Sequence, residues 1–180
     1  MERWVIHRLR LENKTAGDIV TIGGVEYIVL EQLNGKTICI TKDFAFTAKF
    51  GNTNDFRDET GILCALHGWL HNNVYNKVGE DVVHEQEIDL TSMDGLDDYG
   101  KMTDKISLLS IQQYQKYHKI LGLRPDYSQS LWLINPWTTP RSGGDLYVVL
   151  VVSSGSVAYA NHSCLLAVRP VVVFDSSILV

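Results

Sequence analysis

The last fifty residues place the tightest limits on how this chain folds. Leu131-Trp132-Leu133 is a short apolar run. The loop that follows, Asn135-Pro136-Trp137-Thr138-Thr139-Pro140-Arg141-Ser142-Gly143-Gly144, is too rich in proline and glycine for regular structure. Residues 146–152 form a second apolar run, Gly155-Ser156 a turn and residues 157–159 a third strand. Ala167-Val168-Arg169-Pro170-Val171-Val172-Val173-Phe174 closes the pattern, with a strand expected over 168–174. Nothing here has helical period, so this third of the chain is expected to be strands joined by irregular loops.

The remainder adds one meander and two helices. Asp18-Ile19-Val20-Thr21-Ile22 and Val25-Glu26-Tyr27-Ile28-Val29-Leu30 flank Gly23-Gly24, a pair that readily adopts the positive φ of a two-residue hairpin turn. A second turn over residues 32–35 leads into Lys36-Thr37-Ile38-Cys39-Ile40-Thr41. After the loop Gly51-Asn52-Thr53-Asn54-Asp55, a helix is expected to start near Asp58 and to stop at Asn72-Asn73. Its apolar residues Ile62, Leu66, Trp69 and Leu70 share one face. Glu87-Ile88-Asp89-Leu90 and Asp104-Lys105-Ile106-Ser107-Leu108-Leu109 read as strands. Ser110 caps a second helix running to Ile120, with Gly122 as its stop. Helices and strands are segregated rather than alternating, so the class is α+β. Residues 1–15 form an N-terminal arm or extra strand, and residues 16–180 a single domain.

Hydrophobic content of 45% and charged content of 21% fit an ordinary globular chain. No apolar run is long enough for a bilayer, so membrane insertion is not expected. The first residues lack a signal-peptide core, which favours a cytoplasmic location. Cys39, Cys64 and Cys164 form no C-x-x-C pair; Cys39 and Cys64 lie in apolar settings and read as small buried side chains. The net charge of −5 is concentrated. Glu80, Asp81, Glu85, Glu87, Asp89, Asp94, Asp97 and Asp98 occupy residues 80–100, which contain no Lys or Arg. That argues against direct nucleic-acid binding, which needs a basic face for phosphates.

No chemistry-bearing motif is complete. G-x-S-x-G and the phosphate-binding G-x-x-x-x-G-K-[ST] are missing. His67 and His71 stand at i and i+4, a zinc-capable spacing, but Gly68 replaces the glutamate of the zincin motif. Asp94-Gly95-Leu96-Asp97-Asp98 lacks the order of an EF-hand loop and leaves calcium open as a loop-bound ion. Two surfaces remain as candidates. One is the acidic stretch Glu85, Glu87, Asp89, Asp94, Asp97 and Asp98, able to meet a basic partner or to imitate nucleic acid. The other comprises Trp137, Arg141, Tyr147, Tyr159, Asn161 and His162, the aromatic, Arg and Asn types that build adaptable binding surfaces. Trp132, between two leucines, reads as core, and Arg169 as a structural donor to carboxylate or carbonyl groups.

The chain resembles an uncharacterised domain family found in many Firmicutes, phage and prophage proteins. That family shows a W-W-L-[RA]-[ST]-P strand, a glycine-serine turn and a closing G-V-R-P. Here the resemblance rests on Trp132-Leu133, Gly155-Ser156 and Val168-Arg169-Pro170. Further matches are Gly17-Asp18 through Glu26-Tyr27, the helical residues 62–70, Asp89 through Leu96 and Thr103 through Ser110, so that it spans residues 16–180. Leu131 stands in place of the first Trp, and Ile134-Asn135-Pro136 in place of the usual R/A-S/T-P. The resemblance implies a C-type-lectin-like architecture, as in sulfatase-modifying factors. It also implies a non-enzymatic phage or prophage protein that binds a host or bacterial protein, such as a CRISPR-type defence nuclease. A receptor- or glycan-binding module on the virion surface is the alternative. A formylglycine-generating type of oxidase is a second alternative and would require Cys164 to be accessible beside another cysteine.

Overall fold

Ile19–Ile22 (β1) and Val25–Leu33 (β2) form the expected hairpin across Gly23-Gly24, and Lys36–Thr41 (β3) completes the meander. The structure, a computed structural model, describes residues 9–121 and 130–180. Gly23 has φ 62°, and a side chain there would come within 2.7 Å of the Asn73 carbonyl. The turn therefore needs glycine both for its backbone and for its approach to the helix behind it.

Two larger sheets and one small ribbon follow. The first sheet has the order β1-β2-β3-β13-β5, where β13 is Val171–Asp175 and β5 is Val83–His84; β8 (Ile106–Ser107) also pairs with β13. The second has the order β11-β10-β9-β12-β4: Val157–Asn161, Tyr147–Val151, Leu131–Pro136, Leu166–Val168 and Phe46–Ala48. Its pairs are antiparallel except β12 with β9. The ribbon joins β6 (Gln86–Asp89) to β7 (Lys101–Asp104).

Both faces of the central strands are covered. Val29, Cys39, Val172, Trp132 and Val148 pack in one core with Ile62, Leu66 and Leu70 of α1 (Ile62–Leu70). Their neighbours Ile28, Ile40, Val171, Leu133 and Val149 pack in another with Ile111, Tyr114 and Tyr117 of α3 (Ile111–Tyr117). This two-sided burial explains why β9 and β13 read as continuous apolar runs rather than as alternating ones. The architecture is α+β, mostly strands, with two main helices.

Several boundaries differ from expectation. α1 begins at Ile62, not near Asp58; Asp58 instead accepts from the Thr60 N–H and hydroxyl in the turn before it. The helix does not stop at Asn72-Asn73. It widens into a π turn over His71–Tyr75 and ends with α2 (Asn76–Val78) at Gly79. Asn73 stays helical because its amide donates back to the Trp69 carbonyl at 2.9 Å. Cys64 is exposed, lying off the buried stripe of α1. The strand expected over 104–109 is broken at Lys105 between β7 and β8. α3 stops at Tyr117, three residues before Ile120, and Gly122 lies outside the described residues. Residues 1–8 of the N-terminal arm also lie outside them; Leu11 is buried and its N–H donates to the Ile178 carbonyl.

The largest difference concerns the closing strand. Residues 168–174 are not one strand: the chain leaves the second sheet at Val168 and enters the first at Val171. Pro170 cannot donate to a ladder, which favours a break there. Arg169, 1% exposed, holds the crossing by donating Nε–H to the Thr41 carbonyl (2.8 Å) and Nη1–H to the Leu121 carbonyl (2.9 Å).

Candidate functional site

The surface on the β9–β10–β11 end of the second sheet gathers the aromatic residues singled out by the sequence. Trp137 leaves β9 and its N–H donates to the Tyr147 carbonyl at the start of β10 (2.9 Å). Tyr159 lies on β11, where Tyr147 faces Asn161 and Val149 faces Tyr159. The Trp137 and Tyr159 rings have centroids 4.5 Å apart with planes tilted by 32°, and Tyr147 meets Tyr159 edge-on at 5.2 Å. Tyr159 is 51% exposed and Tyr147 37%. Trp137 is half-buried and also packs on the α3-side core, so it anchors the group rather than projecting freely. Offset and edge contacts of this kind hold rings in place at little further entropic cost when they meet a ligand.

The loop after Trp137 is tightly closed. The N–H groups of Ser142, Gly143 and Gly144 converge on the Thr139 carbonyl at 2.9–3.0 Å, and the Thr138 hydroxyl donates to the Gly144 carbonyl. Asn54, fully buried, ties three loops together. Its amide nitrogen donates to the carbonyls of Thr138 (2.7 Å) and Tyr147 (2.9 Å), and its oxygen accepts the Tyr99 hydroxyl (2.7 Å). Burial pushes the Tyr99 phenol up to about 12, helped by Asp55. The sequence offered no sign of Asn54, one of several polar residues in a stretch that reads only as a loop. Asn135 was equally silent: buried, it accepts the Ile111 N–H (2.7 Å) and donates to the Thr91 carbonyl (2.8 Å).

The two candidate surfaces adjoin. Arg141 of the C-terminal loop pairs with Asp98 at 2.7 Å and approaches Asp97 at 3.9 Å, while the Thr139 hydroxyl donates to Asp98 at 2.5 Å. The Ser142 and Ser92 hydroxyls hold the Asp94 carboxyl below the usual carboxylate range. Other acids lie elsewhere and are engaged. Glu87 of β6 pairs with Lys101 at 2.6 Å, Glu80 with Lys105 at 3.0 Å, and Asp89 accepts from the Thr91 N–H and hydroxyl. Glu85 and Asp97 are exposed. Four of the eight acids thus face a cation from a neighbouring segment, Asp97 and Asp98 sharing Arg141, and the concentrated negative charge seen in the sequence is partly neutralised in space.

Asn161 and His162 are occupied in shaping the turn after β11. Asn161 Oδ1 accepts from the Ser163 N–H and hydroxyl, and His162 Nδ1 lies 2.9 Å from the Gly51 carbonyl oxygen. His67 Nε2 lies 2.9 Å from the Asp104 carboxylate, and the His71 ring meets Tyr75 edge-on. Among the described residues no three His, Cys, Asp or Glu side chains are placed to share a metal ion. All three cysteines are free. Cys39 is buried, which pushes its thiol up, whereas Cys64 is exposed on α1 and Cys164 in the turn after β11.

Among the described residues no helix is long and apolar enough to cross a membrane. Comparison with protein-family models, with curated proteins and with solved structures finds no match.

Proposed function

We propose that this protein is a non-enzymatic recognition module that binds another protein through the Trp137, Tyr147 and Tyr159 surface and its charged rim. One observation carries the reading: the Tyr159 ring packs against both Trp137 and Tyr147, and the three partly exposed rings are held beside loops that Asn54 and Arg141 tie together. Aromatic and Arg side chains on a pre-ordered support are the residues that dominate protein interfaces. The rim is Arg141 with Asp94, Asp97 and Asp98, so the acidic stretch contributes at its loop end and not along its whole length.

The resemblance described from the sequence supports three finer parts of the proposal. The α+β body is read as C-type-lectin-like, the protein as phage- or prophage-encoded, and its partner as a protein of the bacterial host, met in the cytoplasm, such as a defence nuclease. The partial neutralisation of the acids weighs against imitation of nucleic acid as the main mode. A virion-surface role in binding a receptor or glycan is the second reading, favoured by the exposed Tyr159 ring.

Capture from host lysate and from a cell-envelope fraction, at low and high salt, tests the proposal. A soluble protein retained at high salt supports the first reading, and an envelope glycan the second. A partner released by modest salt would instead place binding on the acids.

A further inference from the structure

β11 (Val157–Asn161) ends the second sheet, and among the described residues only β10 pairs with it. The alternation of an antiparallel ladder determines which of its backbone groups face outward. His162 N–H donates to the Leu146 carbonyl and Val152 N–H to the Ser156 carbonyl, both at 2.9 Å. Carried through the register, in which Tyr147 faces Asn161 and Val151 faces Val157, these bonds make 148/160 and 150/158 the hydrogen-bonded pairs. The N–H and C=O groups of Val157, Tyr159 and Asn161 therefore point away from β10. The Asn161 carbonyl accepts the Cys164 N–H at 2.9 Å, and the others form an open ladder.

This edge lacks the usual defences. Exposed edge strands are ordinarily blunted by lysine, proline or inward charges. From Leu146 to Val168 there is no Asp, Glu, Lys, Arg or Pro. Tyr147, Val157 and Tyr159 are exposed on one face of this strand and its neighbour β10. Exposed apolar side chains beside open backbone groups mark a contact site.

The geometry points to a second copy of this chain as the occupant, its β11 pairing antiparallel with this one about a two-fold axis beside Tyr159. The outward N–H groups lie at Tyr159 and two residues to either side, so the strand is self-complementary about that residue, the Asn161 carbonyl taking the partner's Val157 N–H on the lone pair that Cys164 leaves free. Val157 then faces the partner's Asn161, and Tyr159 faces the partner's Tyr159. The strand carries no charge, so like meets like without repulsion. Directly opposed residues project to the same face, so the two Tyr159 rings come side by side. The two aromatic groups then merge into one platform across a continuous sheet. That use of the platform rests on the recognition reading; the pairing does not.

Sedimentation of the full chain across a concentration series tests the pairing. The wild-type mass is expected to rise from 20.3 kDa towards twice that value. The double variant V157K/N161K sets lysine opposite lysine and is expected to remain monomeric; V157K/N161E sets lysine opposite glutamate and is expected to dimerise again. The single variants N161K and N161E control for the lost Asn161 turn bonds, so the difference that remains between the double variants reports the register. A wild-type monomer at every concentration, or a dimer indifferent to V157K/N161K, overturns the pairing; the first result leaves the edge to an extended segment of another protein. Dimerisation without any captured ligand would sink the recognition reading alone, and ligand capture by a strict monomer would sink the pairing alone.

Discussion

Asn54 donates two hydrogen bonds and accepts one while wholly out of contact with solvent. Asn54→Ala leaves the Thr138 and Tyr147 carbonyls and the Tyr99 hydroxyl with one partner fewer, and is expected to cost about 3 kcal/mol in urea unfolding. A loss below about 1 kcal/mol would mean that water takes over the amide's role. Glu31 behaves differently. The Lys116 ammonium and then the Tyr117 hydroxyl hold its carboxyl below the usual range, with desolvation opposing. A depressed folded pKa means that the stabilisation is complete above the ordinary Glu value of about 4.3 and is lost as pH falls through the lower, folded value. Glu31→Gln should therefore flatten part of the acid limb of stability against pH; an unchanged limb would place the acid sensitivity in other carboxylates. The thiols give a third prediction: a thiol reagent should label Cys64 and Cys164 in the native protein and Cys39 only after unfolding. Rapid native labelling of all three would contradict the burial of β3.

At the scale of elements, what the sequence made legible was what local chemistry dictates. The Gly23-Gly24 hairpin, the meander and the Ser110 start of α3 all follow from turn and cap residues. Ser110 and Gln113 complete a reciprocal capping box, the Ser110 hydroxyl accepting from Gln113 N–H at 3.1 Å and the Gln113 side chain from Ser110 N–H at 2.9 Å. Ser110→Ala should lower stability by about 1 kcal/mol, and Ser110→Asp should largely restore it; equal losses in the two would show that the cap is not what Ser110 contributes. The ends of α1 were not legible because tertiary contacts decide them. Asp58 is drawn into a turn with Thr60, and the π turn at His71–Tyr75 carries the helix past two asparagines that would ordinarily stop it. The split of 168–174 into β12 and β13 was hidden for a similar reason. Residues 168–174 read as one continuous strand, and only the buried carbonyls of Thr41 and Leu121 show why the chain changes sheets at Arg169.

Across the whole molecule, the candidate site was legible as a set of residue types but not as a place. The sequence set the aromatic loops against the acidic stretch as rival surfaces. The fold joins them, because β9 and β10 bring Arg141 to Asp98 and Asn54 fastens both loops from beneath. It also disperses part of each set: Asn161 and His162 shape a turn, and Glu87 and Asp89 sit on the β6–β7 ribbon. The most direct test of the recognition surface is the affinity of the captured partner for four proteins. These are the wild type, Trp137→Ala, Tyr159→Ala and the triple change of Asp94, Asp97 and Asp98 to Asn, each checked for native melting. Truncating an aromatic anchor should cost at least about 2 kcal/mol, roughly a 30-fold weaker Kd, with little dependence on salt. Unchanged binding by both aromatic variants, with binding abolished by the triple change and by salt, would contradict the account and move the interface to the acids.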